Sequence, residues 1–174
     1  MKRFFTLVCA LGFSAALAGT GFAQNNPRGT ASLTIGNAKV TVDYGRPALH
    51  GRKVEDMLGK LGAGEVWRLG ADKSTTLTTT GDLDFGGTAV AKGEYSLWAR
   101  KEADGSWKLV FNSQHGQWGT DHDASKDVAA VPLKQETESS PADKVTIKLE
   151  NENNAGEISI AWGNMELSSN FTAK

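Results

Sequence analysis

The chain has 174 residues, and its 19 basic and 20 acidic side chains nearly cancel, leaving a net charge of −1 at neutral pH. A balance without a basic excess argues against general binding to nucleic acid or to anionic lipid surfaces. Cys9 is the only cysteine, so these residues form no internal disulfide and the fold must be stabilised by core packing.

Residues 1–23 have the pattern of a secretory signal peptide. Lys2 and Arg3 provide a positive end, an apolar run follows, and Gly21 and Ala23 frame the expected cleavage site after Ala23. The apolar run is shorter than the roughly 20 residues of a membrane span, so we expect no membrane span after cleavage. The remaining 151 residues, with 17 basic and 20 acidic side chains, suffice for one domain. We expect this domain in the periplasm or outside the cell.

Residues 24–30 read as a flexible polar lead-in, and residues 31–174 as a single β domain. The stretch ASLTIGNAKVTVDYG alternates apolar and polar residues around Gly36-Asn37, a dipeptide typical of a tight turn, and so predicts a β-hairpin. Residues 46–64 interrupt this alternation, and the helical spacing of apolar residues over 54–61 predicts one short helix within a long connection. Such long connections are often functional.

Short strand patterns then follow in close succession to the end of the chain. In GEYSLWARK, Tyr95, Leu97 and Ala99 fall on one face and Trp98 on the other. Pro132 predicts an edge position for its strand, and the polar stretch QETESSPAD is typical of a surface loop. Without βαβ alternation, the pattern predicts an all-β fold, an antiparallel β-sandwich of about nine or ten strands. A partly closed barrel is the alternative.

Five segments occur in a characteristic order between residues 39 and 162: VDYGRPALHGRKV, GEVWRLGADKSTTLT, KGEYSLWA, WKLVFN and QWG. In this order they resemble a bacterial secreted family known as domain of unknown function 2911. The resemblance implies a compact β domain outside the cytoplasm, and it implies no reaction, substrate or catalytic residue. One departure is visible after QWG, where the family tends to place tyrosines and this chain has Thr120-Asp121-His122-Asp123.

Arginine and aromatic side chains of these segments are the candidate ligand-binding residues: Arg46, Trp67, Arg68, Trp118, His50 and Arg52. Guanidinium groups bind carboxylate or phosphate through paired hydrogen bonds and stack on aromatic rings, so their convergence predicts a site for an anion or a glycan. Alternatively, the arginines tie loops to backbone carbonyls or to Asp43, Glu65 or Asp72, and the tryptophans fill the core. In an extended strand Trp67 and Arg68 point to opposite faces, so we expect only one of them to line a given cleft.

The remaining polar segments fit no established metal or nucleophile pattern. DHDASKD begins like a calcium loop, but Lys126 stands where glycine is needed and Pro132 where a glutamate would fall. His115 and His122 do not have a known zinc spacing, and no serine lies in a nucleophile elbow. We therefore expect no metal and no cofactor.

Non-catalytic binding of an envelope component, a glycan, a small anion or a partner protein is the function that this pattern favours. The first alternative is an extracytoplasmic hydrolase that uses Glu65, Asp72 or a histidine as its acid or base. The second is a structural accessory module that needs no pocket. No nucleic acid partner is expected, and the oligomeric state stays open.

Overall fold

The computed structural model describes residues 26–153 and 155–174. The predicted signal peptide and its cleavage site lie outside the described residues. The first strand begins at Arg28, so residues 28–30 of the predicted lead-in belong to the sheet. Among the described residues, no helix has the length and apolar character needed to cross a membrane.

Ten strands, one α-helix and one short 3-10 helix make up the described part of the chain. In chain order they are β1 (Arg28–Ile35), β2 (Ala38–Gly45), α1 (Val54–Leu58), β3 (Val66–Trp67), β4 (Thr76–Thr79), β5 (Leu83–Phe85), β6 (Thr88–Val90), β7 (Gly93–Lys101), β8 (Trp107–Asn112), the 3-10 helix (Ala124–Lys126), β9 (Asp127–Glu152) and β10 (Ala155–Ala173). The predicted hairpin corresponds to β1 and β2, and the predicted short helix corresponds to α1.

Paired strands are antiparallel and follow the order β1-β2-β4-β7-β8-β9-β10-β5-β6, with β3 pairing with β7 beside this path. Strand β1 also contacts β9 and β10, which are far from it in this order, so the open sheet folds over into two facing layers. The Tyr44 hydroxyl on β2 donates to the Ile147 carbonyl on β9 at 3.2 Å. The predicted class, an antiparallel β-sandwich of nine or ten strands with one short helix in a long connection, is confirmed.

Strand β9 is continuous where the sequence pattern predicts two strands separated by a loop. Its pairing with β10 moves from Thr137 opposite Met165 to Ala142 opposite Gly163, so five steps along β9 match two along β10. The surplus residues form an irregular bulge of several residues that includes Pro141. The loop-like composition of QETESSPAD is therefore the composition of a bulge within a strand.

Pro132 lies in the first part of β9, where only one neighbouring strand pairs with it. It is opposite Lys108 of β8, whereas the pairing of β9 with β10 begins at Lys134. On the side of β10, therefore, no strand hydrogen bond is lost because proline lacks an N–H. Pro132 thus has a local edge position, although β9 as a whole lies between β8 and β10.

The main core fills the space between the two layers and includes Leu97 and Ala99 of β7. On the opposite face of β7, Trp98 is also buried, with 2 % of its surface exposed. The ring of His122, in the connection between β8 and β9, covers it at a centroid distance of 4.8 Å. Both faces of β7 are therefore packed, and the second face leads to the candidate site.

Candidate functional site

A pocket of about 630 Å³ opens beside β3, between the long connection, α1 and the loop that follows Trp118. We refer to it as the tryptophan pocket, because Trp67, Trp98 and Trp162 form part of its wall. The rest of its apolar lining comes from the long connection and α1, namely Pro47, Ala48, Met57, Leu58, Leu61 and Val66. Its volume lies within the range of about 300–1,000 Å³ that is typical of small-molecule sites.

Two of the three tryptophans form a parallel stack. The ring centroids of Trp67 on β3 and Trp162 on β10 are 5.5 Å apart, and their planes are inclined by 11°. Trp98 donates its indole N–H to the Ser96 hydroxyl at 2.9 Å. The indole N–H of Trp162 is buried and, among the described residues, has no hydrogen-bond acceptor. The three tryptophans therefore form a tightly packed part of the pocket wall, with only 2 % to 6 % of their surfaces exposed.

Arg68 is partly buried in the wall of the pocket. Its Cδ packs closely against Gly119, because a Cβ at that glycine would lie 3.2 Å from it. Within residues 26–153 and 155–174, the Arg68 guanidinium forms neither a hydrogen bond nor an ion pair, and none of the residues that line the pocket is acidic. The pocket thus contains a cationic fork whose five donors are free to bind an anion.

Arg52 and His50 lie at the rim of the same pocket, and both are exposed. Arg52 donates from Nε to the Leu49 carbonyl at 2.9 Å and from one terminal nitrogen to the Ala48 carbonyl at 3.4 Å. These contacts hold its guanidinium against the long connection and leave part of it facing outward. A second positive charge therefore borders the pocket.

Arg46 and Trp118 are not among the lining residues. Arg46 donates from Nε to the Val145 carbonyl and from a terminal nitrogen to the Thr146 hydroxyl, both at 3.2 Å, and so ties the end of β2 to β9. Trp118 is 51 % exposed and lies just before the lining residue Gly119. The structure therefore brings together four of the six candidate residues: Trp67, Arg68, His50 and Arg52.

The expectation that Trp67 and Arg68 line different clefts is wrong. Strand β3 ends at Trp67, and Leu69 has a φ of 53°, so strict strand alternation does not extend through Arg68. Both side chains consequently line the tryptophan pocket. A left-handed conformation is costly for a residue as bulky as leucine, and such strain concentrates at functional sites. His50 and Asp72 nearby also have positive φ values, 51° and 63°, which histidine and aspartate adopt more readily than leucine does.

A family model described as "Protein of unknown function (DUF2911)" matches residues 26–171. The chain belongs to this family. The match confirms the resemblance and includes every residue that lines the tryptophan pocket. No curated protein and no solved structure matches the chain. The family description specifies no activity.

A separate polar cluster lies behind Trp98 in this DUF2911 protein. Asp127 Oδ1 accepts hydrogen bonds from the Asn112 side-chain nitrogen at 2.8 Å and from His122 Nε2 at 2.9 Å. Asn112 is fully buried, and it also donates to the Asp123 carbonyl at 2.8 Å. Because the ring of His122 packs on Trp98, this network fixes the outer face of the tryptophan that lines the pocket.

The two carboxylates that are candidate acids or bases, Glu65 and Asp72, accept hydrogen bonds from backbone N–H groups. Glu65 accepts the backbone N–H of Gly62 at 2.7 Å, and Asp72 accepts the backbone N–H of Asn26 at 2.8 Å. Neither residue lines the tryptophan pocket. His50 is the only histidine among the residues that line the pocket.

In the acidic loop that resembles the start of a calcium site, the carboxylate of Asp123 is used in hydrogen bonds within the protein. Asp123 caps the 3-10 helix by accepting hydrogen bonds from the Ser125 hydroxyl at 2.6 Å and from its backbone N–H at 3.1 Å. The Ser125 hydroxyl, followed by this backbone N–H, holds the pKa of Asp123 below its ordinary value. No cluster of three or more potential metal ligands occurs in the part of the chain that the structure describes.

Proposed function

We propose that this protein binds a small organic anion in the tryptophan pocket without changing it chemically. The anionic group pairs with Arg68, and the apolar body of the ligand packs against the tryptophans and α1. The main support for the proposal is the Arg68 guanidinium, which is partly buried and has no hydrogen-bond acceptor among the described residues. It lies in a pocket with no acidic lining residue.

The electrostatics of the pocket favour an anion. A guanidinium that is partly removed from water loses hydration, and a carboxylate or phosphate can replace it with two parallel, charge-assisted hydrogen bonds. Arg52 at the rim adds a second positive charge. Since no lining carboxylate competes for these cations, the ligand supplies the negative charge.

The shape and lining of the pocket favour a ligand with a substantial apolar body. Trp67 and Trp162 are 6 % and 4 % exposed, and their stack holds both rings in fixed orientations. The more exposed apolar lining beside them, Met57, Leu61 and Val66, can bind rings and alkyl chains, and it also suits the apolar face of a sugar ring. Aryl carboxylates, fatty acids and acidic sugars of envelope glycans are therefore the ligand classes to compare.

Binding without catalysis fits the pocket better than hydrolysis. General acid–base hydrolysis needs a proton acceptor and usually a group that orients it, and among the described residues no side chain forms a hydrogen bond or ion pair with the His50 ring. A purely structural module, in turn, needs no pocket with an unpaired cation. The signal-peptide pattern supports a site of action in the periplasm or outside the cell.

A thermal-shift comparison tests the proposal. The probes are phenylbutanoate, its neutral alcohol phenylbutanol, long-chain carboxylates and glucuronate, measured with the wild-type protein and with Arg68→Met. A ligand at a hundred times its Kd stabilises the native state by about 2.7 kcal/mol, which raises Tm measurably. We expect at least one anion to raise Tm, its neutral analogue to have little effect, and R68M to abolish the difference.

The surface variant R28M is the matched control, because Arg28 pairs with Asp43 away from the pocket. This variant should retain the full ligand-dependent shift. The proposal is contradicted if every anion leaves Tm unchanged at millimolar concentration, or if R68M and R28M respond alike.

A further inference from the structure

Two arginines line the tryptophan pocket, and they are held by different segments of the chain. Arg68 follows β3, and its Cδ packs against Gly119 in the connection between β8 and the 3-10 helix. Arg52 belongs to the long connection between β2 and β3, and its guanidinium donates to two backbone carbonyls of that same connection. The two positive charges are therefore attached to different walls of one pocket.

Neither arginine is neutralised by the protein. Within residues 26–153 and 155–174, no carboxylate lies within ion-pair distance of Arg52 or Arg68, and no residue that lines the pocket is acidic. Two unpaired cations in one concave site add their fields, and the resulting positive potential favours a ligand with more than one negative charge.

Arg52 is both accessible and oriented. Its side chain is exposed at the rim, so a ligand in the pocket can reach it from the solvent side. Nε and one terminal nitrogen are bound to the Leu49 and Ala48 carbonyls, whereas the other terminal nitrogen has no acceptor among the described residues. A guanidinium that is already held in one plane loses little conformational freedom when it binds an anion.

The lining that accompanies the two arginines is apolar. Met57, Leu61 and Val66 are partly exposed and belong to α1, to the segment that follows it and to β3. This surface offers no hydrogen-bonding side chain to the middle of a ligand. A ligand that uses both arginines and this surface has two anionic groups joined by an apolar body.

We infer that the ligand of the tryptophan pocket is an organic dianion, with one carboxylate on Arg68 and a second on Arg52. Arg52 is then the residue that selects for the second anionic group. This inference rests on the proposed function, and it narrows the ligand from any organic anion to one with an anionic group at each end of an apolar body.

A matched pair of ligands isolates the second contact. The first is phenylbutanoate that carries a second carboxylate on a para alkyl chain, and the other is the methyl ester of that second carboxylate. In calorimetric titration of the wild type, the diacid should bind about three- to tenfold more tightly than its ester at the best chain length. Arg52→Met should remove this preference and change the affinity for the ester by less than about twofold.

Lys53→Met is the matched control, because it removes the same charge from the next residue of the chain. Lys53 is exposed and does not line the tryptophan pocket, so K53M should keep the preference for the diacid. If the wild type binds diacid and ester equally at every chain length, or if R52M and K53M reduce the preference equally, the inference is overturned while the proposed function stands. If neither these ligands nor phenylbutanoate binds, the proposed function fails together with the inference.

The wild-type series alone covers the case in which R52M does not fold. The two cations are anchored to different walls, so a second chain that is too short does not reach Arg52, and one that is too long loses more freedom on binding. The ratio of the two affinities should therefore peak at one chain length. A ratio that does not vary with chain length reflects general attraction to positive charge and overturns the inference.

Discussion

Trp67 and Trp162 stack with their ring centroids 5.5 Å apart, although their strands, β3 and β10, do not pair in the sheet. Strand β3 has two residues and pairs only with β7, so side-chain packing against the other layer must hold it in place. The stack therefore has two roles, because it anchors β3 in the core and forms the wall of the tryptophan pocket.

Replacing Trp67 with alanine should destabilise the protein strongly. The change removes a side chain that is 6 % exposed and leaves a cavity against Trp162, for which the usual cost is about 3–5 kcal/mol. Urea unfolding of W67A and of Trp118→Ala measures the difference. Trp118 is 51 % exposed, so W118A should change the free energy of unfolding by less than about 0.5 kcal/mol. Equal losses for the two variants would show that the stack does not anchor β3.

Substitution of Arg46 should affect mainly the free energy of unfolding, and substitution of Arg68 should affect mainly the affinity for an anion. Arg46→Met breaks the hydrogen bonds to Val145 and Thr146, and should lower the free energy of unfolding by about 1–3 kcal/mol without changing the affinity for an anion per folded molecule. Arg68→Met should weaken anion binding at least about tenfold with a smaller effect on unfolding. Paired calorimetry and urea unfolding check both variants, and the reverse pattern would contradict the assignment.

Gly119 should tolerate no side chain. A Cβ at this position would lie 2.8 Å from the Asp72 carbonyl oxygen and 3.2 Å from Arg68 Cδ, so Gly119→Ala must shift the backbone or the arginine. We expect a loss of about 1–3 kcal/mol in unfolding free energy together with weaker anion binding. Gly62→Ala is the matched control, because its Cβ would meet its nearest neighbour, Glu65 Oε2, at an ordinary 3.6 Å. A G119A protein that matches G62A in both measurements would contradict this packing.

Glu157 and Glu166 should make stability fall as pH rises. Burial, followed by repulsion from neighbouring glutamates, raises the pKa of both side chains. The native state therefore holds these protons more tightly than the unfolded chain, and their contribution to stability is complete below about pH 4.3, the ordinary pKa of glutamate, and is lost as pH rises through the raised pKa. The double variant E157Q/E166Q should have a higher Tm than the wild type at pH 7, and this gain should disappear near pH 4.

Asp84→Asn provides a comparison of opposite sign. The hydrogen bond from Lys174, followed by that from the Gly87 backbone, lowers the pKa of Asp84, so its ionised form stabilises the native state above the ordinary aspartate pKa. D84N should lower Tm at neutral pH and lose this effect in acid. Parallel pH profiles for D84N and for the double glutamine variant would contradict the assigned causes.

The fold class follows from local patterns that the structure preserves. The alternation around Gly36-Asn37 predicts the hairpin of β1 and β2, and the spacing from Val54 predicts α1. Strand β9 departs from its pattern at QETESSPAD, because a bulge tolerates loop-like residues when a long partner strand runs beside it. The polar composition of QETESSPAD indicates that the segment is exposed to solvent. It cannot distinguish an exposed bulge within a strand from a loop between two strands.

The pocket could be predicted only in part. The sequence motifs identify Trp67, Arg68, His50 and Arg52, which lie near one another along the chain. Trp162 reaches the pocket from β10 through packing between layers, and no local pattern specifies that contact. Trp98 was predicted only to lie on the face of β7 opposite Leu97, and alternation alone does not reveal that the connection carrying His122 covers that face.

Indole NMR signals show most directly whether an organic anion occupies the tryptophan pocket. The chain has five tryptophans, of which Trp67, Trp98 and Trp162 line the pocket and Trp107 and Trp118 do not. Titration with the anion that gives the largest thermal shift should move the first three signals with one saturable dependence and leave the Trp107 signal in place. Saturation at the Trp118 or Trp107 signal alone, or no saturable change at any indole, would contradict the account.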